Sequence, residues 1–237
     1  PAPARREPPS LRVGKLTGAP PVIDGKLNDE VWRAAPTTGP LIDVSTGGPN
    51  QRFPANGAAR IAWDNQHLYL AFEVTDHKLI GNLKPGERDQ RLWENECVEI
   101  MIDPDGDGDN VDYYEIQIST QNLIFDSQFD GYNLPRGGPN GPFGHQDWSF
   151  KGKTAVAVQG TLDRDDDDDQ GYTVEAAIEW SSFSKAKRLP PANNDRWRFN
   201  FYAMKRNSGV AWSPILGEGN FHKASRFGRI TFTDLAP

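Results

Sequence analysis

Trp93, Glu99, Glu115 and Gln117 are the residues whose types and spacing could do chemistry. They fall within Leu92–Phe129, where two alternating runs flank an Asp/Gly-rich segment, Asp103–Asn110. Val98, Ile100 and Ile102 share one face of a period-2 strand, and Tyr114, Ile116 and Ile118 share one face of the next. A hairpin that pairs Val98 with Ile118 sets Glu99 opposite Gln117 and Met101 opposite Glu115. A slip of two residues would set Glu99 against Glu115, and like charges in direct opposition are unfavourable. Glu99, Glu115 and Gln117 are therefore expected on one face, together with Cys97 and Met101. An aromatic plate such as Trp93 beside fixed carboxylates and an amide suits a sugar, whose C–H faces stack while its hydroxyls bind the polar row. The plainer reading is the solvated face of an ordinary antiparallel sheet.

Other residue sets carry weaker signals. Asp103, Asp105 and Asp107 have the alternating spacing of oxygen ligands and are candidate calcium ligands. Position 12 of such a loop is Tyr114 rather than Glu, so this is not an EF-hand. The run Asp165–Asp169 has similar chemistry, but adjacent carboxylates repel, and a solvated, disordered tip is expected there. Glu99 and Glu115 could in principle form a glycosidase carboxyl pair. No GxSxG, HExxH, paired CxxC or strand-following GxGxxG occurs, and His67, His77, His145 and His222 show no metal-ligand spacing. The one cysteine, Cys97, excludes an intramolecular disulfide and reads as a packed thiol.

Many short strands position these residues. The chain has 237 residues with 7 Trp, 23 Gly and 19 Pro, a profile of strands and tight turns rather than helices. Residues 1–12 are Pro-rich and read as a mobile tail, and residues 13–237 as one domain. Asn28 or Asp29 can cap a short helix over 29–34, with Trp32 plugging the core. Strands are expected at 59–63, 68–74, 123–125, 153–159, 172–180, 197–204 and 229–233, besides the central hairpin. Trp197, Phe199 and Phe201 should face inward, and Arg198, Asn200 and Tyr202 the other way. The segment Gly131–His145 holds five Gly and three Pro, a loop long enough to be functional. The expected architecture is all-β: a two-sheet antiparallel sandwich, jelly-roll-like, with one short N-terminal helix. A net charge of -7 disfavours nucleic acid as a partner. No apolar run reaches the roughly 18 residues of a membrane-spanning helix.

The ordered motifs IDGKLNDEVW, RIAWDNQHLYLAFEVTD, ENECVEIMIDPDGDGDNVDYYEIQI, GYTVEAAIEW, WRFNFYAMKR, AWSP and FHKASRFGRITF resemble the family 9 carbohydrate-binding modules. The resemblance covers about Val22 to Phe232. It implies a β-sandwich that binds mono-, oligo- or polysaccharide without cleaving it, exported from the cell and working alone or alongside glycoside hydrolases. It implies that Trp93 is one aromatic of a sugar clamp and Phe221 the second, with Glu99, Gln117 and His222 bonding hydroxyls. Where the family can place an arginine, this chain has Gln117, which weakens charge-assisted bonding. The wider superfamily also includes haem-binding domains, for which Met101, Met204 and His222 supply axial-ligand types. A structural adhesion module without a small ligand is a further alternative.

Overall fold

The computed structural model describes Ala4 and residues 6–235. Its twelve strands form two sheets. One carries β1 (Ser10–Gly14), β2 (Ile42–Asp43), β5 (Glu96–Asp103), β6 (Tyr113–Ser119), β7 (Ile124–Phe129), β10 (Arg196–Lys205), β11 (Ser208–Ala211) and β12 (Gly228–Thr233). Its order is β1-β12-β10-β5-β6-β7, with β11 beside β10 and β2 beside β11. The other carries β3 (Asn56–Trp63), β4 (His67–Thr75), β8 (Gly152–Gln159) and β9 (Gly171–Glu179) in the order β3-β4-β9-β8. The expected two-sheet sandwich is what forms. Alternation dictates it: Val98, Ile100, Ile102, Ile116, Phe199 and Phe201 from one sheet meet Leu68, Leu70, Phe72, Val74, Val174 and Ile178 from the other in a single apolar core.

The central hairpin takes the expected register, with Val98 paired to Ile118, Glu99 to Gln117, Ile100 to Ile116 and Met101 to Glu115. Several expectations need correction. Ser10–Gly14 is not tail but β1, pairing parallel with β12 from Ser10↔Arg229 to Gly14↔Thr233. Pro1, Ala2, Pro3 and Arg5 of the expected tail lie outside the described residues. The helix α1 (Glu30–Ala34) exists, but Asp29 makes no side-chain cap. Its carboxylate instead accepts the Val22 N–H at 3.1 Å. Trp32 does not plug the sandwich core: it packs with Ala62, Tyr69, Ala71 and Ala177 on the outer face of the four-stranded sheet. There its indole N–H donates to Glu175 Oε1 at 2.6 Å. Asp165, Asp166 and Asp168 are exposed as expected, but the last aspartate of that run folds back. Asp169 is buried and accepts the Leu79 and Thr161 N–H groups at 2.7 and 2.8 Å. Oriented backbone donors satisfy this carboxylate, so repulsion along the run does not expel it.

The last correction matters most. The outer face of the larger sheet is not solvated. Cys97, Met101, Tyr113, Phe125, Phe129 and Tyr202 form a second apolar cluster with Leu92, Ile215 and Phe227, and Trp93, Phe143 and Phe221 pack against it. Loops fold over this face and bury its polar residues: Glu99, Glu115 and Gln117 are 2%, 4% and 1% exposed.

Candidate functional site

A cleft of about 370 Å³ opens on this covered face. Its floor is β5 and β6, which project Glu99, Glu115 and Gln117, and β7 and β10 add Phe125, Phe129 and Met204. Its walls are loops. The one-turn helix Leu92–Glu94 places Trp93, and the turn between β10 and β11 places Asn207. Their backbones are joined, the Asn207 N–H donating to the Trp93 carbonyl at 2.8 Å. The 131–145 loop brings Asn133, Arg136 and Phe143, and the stretch before β12 brings Asn220, Phe221 and His222.

The loops are fixed to the sheet. His145 Nε2 pairs with Asp130 Oδ2 at 2.6 Å, and Ser127 Oγ donates to the Phe143 carbonyl at 2.7 Å. Gly144, at φ +68°, lies so close that a Cβ there would stand 2.7 Å from the Gln128 carbonyl. On the opposite wall, Tyr202 OH donates to the Phe221 carbonyl at 2.9 Å, and the Asn110 amide donates to that of His222. The Asn220 N–H donates to Tyr132 OH at 2.8 Å, tying the two loops together.

Aromatic rings stand at set angles. Trp93 meets Phe125 at 5.2 Å and 81°, and Phe143 at 5.1 Å and 89°, both edge to face. Across the site Phe221 stacks on Tyr202 at 4.7 Å and 13°. Such pairs contribute about 0.5–1.5 kcal/mol each beyond burial and hold the plates in place. The indole N–H of Trp93 and the guanidinium of Arg136 make no hydrogen bond or ion pair among the described residues.

The floor is one hydrogen-bonded unit. The Gln117 amide donates to Glu99 Oε2 at 2.8 Å and to Glu115 Oε1 at 2.6 Å. An NH2 group has two protons, and both are used. Gln117 is thus committed to the two carboxyls, and its own oxygen accepts from Cys97 Sγ at 3.6 Å. Glu99 Oε1 is buried and has no partner. Burial pushes Glu99 well above the usual carboxylate range, the charge of Glu115 adding to it. Burial also raises Glu115, to about 8, against the lowering by the Gln117 bond. Two carboxyls that share one amide and no cation hold on to protons. His222 Nε2 lies 3.6 Å from Glu115 Oε2. Burial, helped by the charge of Arg136, depresses the imidazole to about 3, so it is neutral near pH 7.

All five residues expected to bind sugar, Trp93, Glu99, Gln117, Phe221 and His222, line this cleft. The sequence reading missed Asn133, Arg136, Phe143, Asn207 and Asn220 as individuals. The Gly/Pro-rich composition of the 131–145 loop was the available signal. Of the residue types considered for haem, Met204 and His222 line the cleft and Met101 does not.

The carboxylates of Asp103, Asp105 and Asp107 converge outside this cleft, each offering an oxygen within 4.8 Å of the others. Asp103 accepts the Gly106 and Gly108 N–H groups at 3.2 and 2.9 Å. Burial, with Asp105 bonded beside it, lifts Asp103 to about 7. Arg198 donates to the carbonyls of Gly106 and Asp107 at 3.0 and 3.2 Å, fastening the turn to β10.

A sandwich whose larger sheet carries a walled, aromatic and polar cleft on its outer face is the architecture of a ligand-binding module. Residues 23–235 match the family described as "Carbohydrate family 9 binding domain-like". The chain belongs to that family. It is 26% identical over 212 residues to exoglucanase XynX of Acetivibrio thermocellus, covering 84% of this chain. It is 26% identical over 224 residues, 89% of this chain, to endo-1,4-beta-xylanase A of Thermoanaerobacterium saccharolyticum. The chain spans only 16% of the length of each of these curated relatives. Among solved structures, a candidate carbohydrate-binding protein of Bacteroides uniformis superposes with a TM-score of 0.68 at 20% identity, covering 95% of this chain and all of that one. A family 9 module of Caldicellulosiruptor kristjanssonii in complex with cellotriose gives 0.60 at 21%, covering 94% and 93% of the two chains.

Proposed function

We propose that the cleft between Trp93, Phe143 and Phe221 binds a sugar unit, with Glu99, Glu115 and His222 bonding its hydroxyls, and that this domain binds without cleaving. The observation that carries the reading is the buried, unpartnered Glu99 Oε1 on a floor flanked by aromatic rings. A buried carboxyl oxygen without a partner is costly, and a ring hydroxyl, able to donate or accept, supplies one. The cleft volume lies in the range of small-ligand sites. The family 9 module of C. kristjanssonii has been solved with cellotriose and with glucose, which makes these the first ligands to try.

A binding role also fits the floor better than hydrolysis does. A retaining glycosidase holds one carboxyl protonated and a second ionised across the scissile bond. Glu99 and Glu115 instead hang from neighbouring strands, bond the same amide and are both raised by burial. Export and action beside glycoside hydrolases belong to this reading, in keeping with the names of the curated relatives.

Calorimetry of the wild type and Trp93→Ala against glucose, cellotriose and xylo-oligosaccharides tests it. Wild-type binding that is lost in the variant, with the folded state retained, is the expected result. Equal binding by both proteins would assign Trp93 to packing and move the site elsewhere.

A second proposal concerns the turn after β5. Asp103, Asp105 and Asp107 suit calcium: three hard oxygen donors converge, and burial, with Asp105 beside it, disfavours the charge on Asp103 that a dication would offset. The ion would brace the turn that Arg198 fastens to β10.

A further inference from the structure

Tyr113 stands just behind the cleft wall, wholly buried, its ring stacked on Phe129 at 5.0 Å and 8°. Its hydroxyl meets two groups. The backbone N–H of Asn133 donates to it at 2.8 Å, and His222 Nδ1 lies 2.8 Å away. A phenol has one proton, and Asn133 does not accept it. If Nδ1 carried the imidazole proton, two donors would meet and the phenolic proton would be left buried without an acceptor. That penalty vanishes when Tyr113 donates to Nδ1 and the imidazole proton sits on Nε2. Burial keeps the phenol protonated and the imidazole neutral, so neither group leaves this arrangement near pH 7.

We infer that Tyr113 is a positioning residue: it fixes His222 as the Nε2–H tautomer, so that one sugar hydroxyl bridges this fixed donor and the Glu115 carboxyl, whose Oε2 lies 3.6 Å from Nε2. The pair is too far apart for a good direct bond and close enough for one oxygen to reach both. That oxygen must accept from His222 while facing a carboxyl that donates when protonated and accepts when ionised, and a hydroxyl meets both demands where a hydrogen meets neither. The ligand class is thus a sugar with a free hydroxyl at the position that reaches this pair. This rests on the sugar reading above, but the tautomer is decided by the free protein alone.

The test has two arms. Nitrogen-15 NMR of the histidine rings, assigned with His222→Gln, reports which nitrogen of His222 is protonated in the sugar-free protein. The wild type should show Nε2–H, and Tyr113→Phe, which keeps the stacked ring, should shift the population toward Nδ1–H. In the second arm, calorimetry with glucose and cellotriose should show Tyr113→Phe weakening binding roughly tenfold. His222→Gln carries an amide donor that needs no tautomer, so adding Tyr113→Phe to it should cost little further. Among monodeoxy glucoses, one position should be rejected by the wild type and tolerated by Tyr113→Phe. A wild-type Nδ1–H ring overturns the inference whatever the sugar result. So does a Tyr113→Phe protein with unchanged tautomer and unchanged affinity. Full loss from Tyr113→Phe in the His222→Gln background would make Tyr113 merely structural. If no sugar binds the wild type, the functional proposal fails while the NMR arm still decides the tautomer.

Discussion

Glu115→Gln should flatten the pH dependence of stability. In the folded protein Glu115 is raised from 4.5 to about 8, chiefly by burial. A group with a raised folded pKa contributes stability that is fully present below its unfolded pKa and is lost as pH climbs through the folded one. The window is therefore pH 4.5 to about 8, and the wild type should weaken across it. At about 1.36 kcal/mol per pKa unit, a carboxyl moved this far loses at most about 5 kcal/mol. Glu99 shares the same amide, so the two release protons as a pair, and removing one charge relieves only part of the loss. We expect Glu115→Gln to lose about 2–4 kcal/mol less than the wild type between pH 5 and pH 9. Glu96, also raised to about 8, acts in the same window in both proteins and cancels in the difference. Urea denaturation of both at pH 5, 7 and 9 reads it directly. Parallel curves would show that the floor stays ionised and hydrated, and would refute the argument from shared burial.

If calcium binds the Asp103 turn, a chelator should lower the melting temperature of the wild type and leave Asp105→Ala unmoved; melting indifferent to chelator would leave the turn a solvated hairpin end. Trp32→Phe keeps the ring but removes the donor to Glu175 Oε1, so it should cost about 1.5–3 kcal/mol in denaturant unfolding without changing sugar affinity. Incubation with xylan, cellulose, chitin and aryl-glycosides should release no reducing ends or phenol, and activity abolished by both Glu99→Gln and Glu115→Gln would overturn the non-catalytic reading.

Local patterning made much of the fold legible. The register of β5 on β6 follows from the cost of setting Glu99 against Glu115, and Leu68, Leu70, Phe72 and Val74 alternate because one side of β4 meets the core. The outer face of the larger sheet was not legible. Glu99, Glu115 and Gln117 read as solvated because period-2 reasoning has no knowledge of what lies above a strand. Phe143 and Phe221 cover them from segments far away in sequence. For the same reason Trp93 and Phe221 could be named from motif order, but Arg136 and Asn220 could not. A Gly/Pro-rich loop announces its presence without stating which way its side chains point. β11 went unseen because SGVA is four residues without a clear alternation. Gln117 lay where expected, yet its protons were already taken, a fact that only the bond distances reveal.

The pairing of β1 with β12 bears on how the domain is made. A ribosome releases β1 first, but its partner lies more than two hundred residues downstream, at Gly228–Thr233. Just beyond β1 the chain stitches both sheets: the Lys15 N–H donates to the Thr233 carbonyl at 2.8 Å and the Leu16 N–H to that of Trp63 at 2.8 Å. The clasp between the sheets therefore cannot close until the final strand has emerged. Contacts this distant in sequence are slow to form, because chain entropy is lost before they reward it. The β3–β4 and β5–β6 hairpins are therefore made well before β12, the strand that completes the seam beside them.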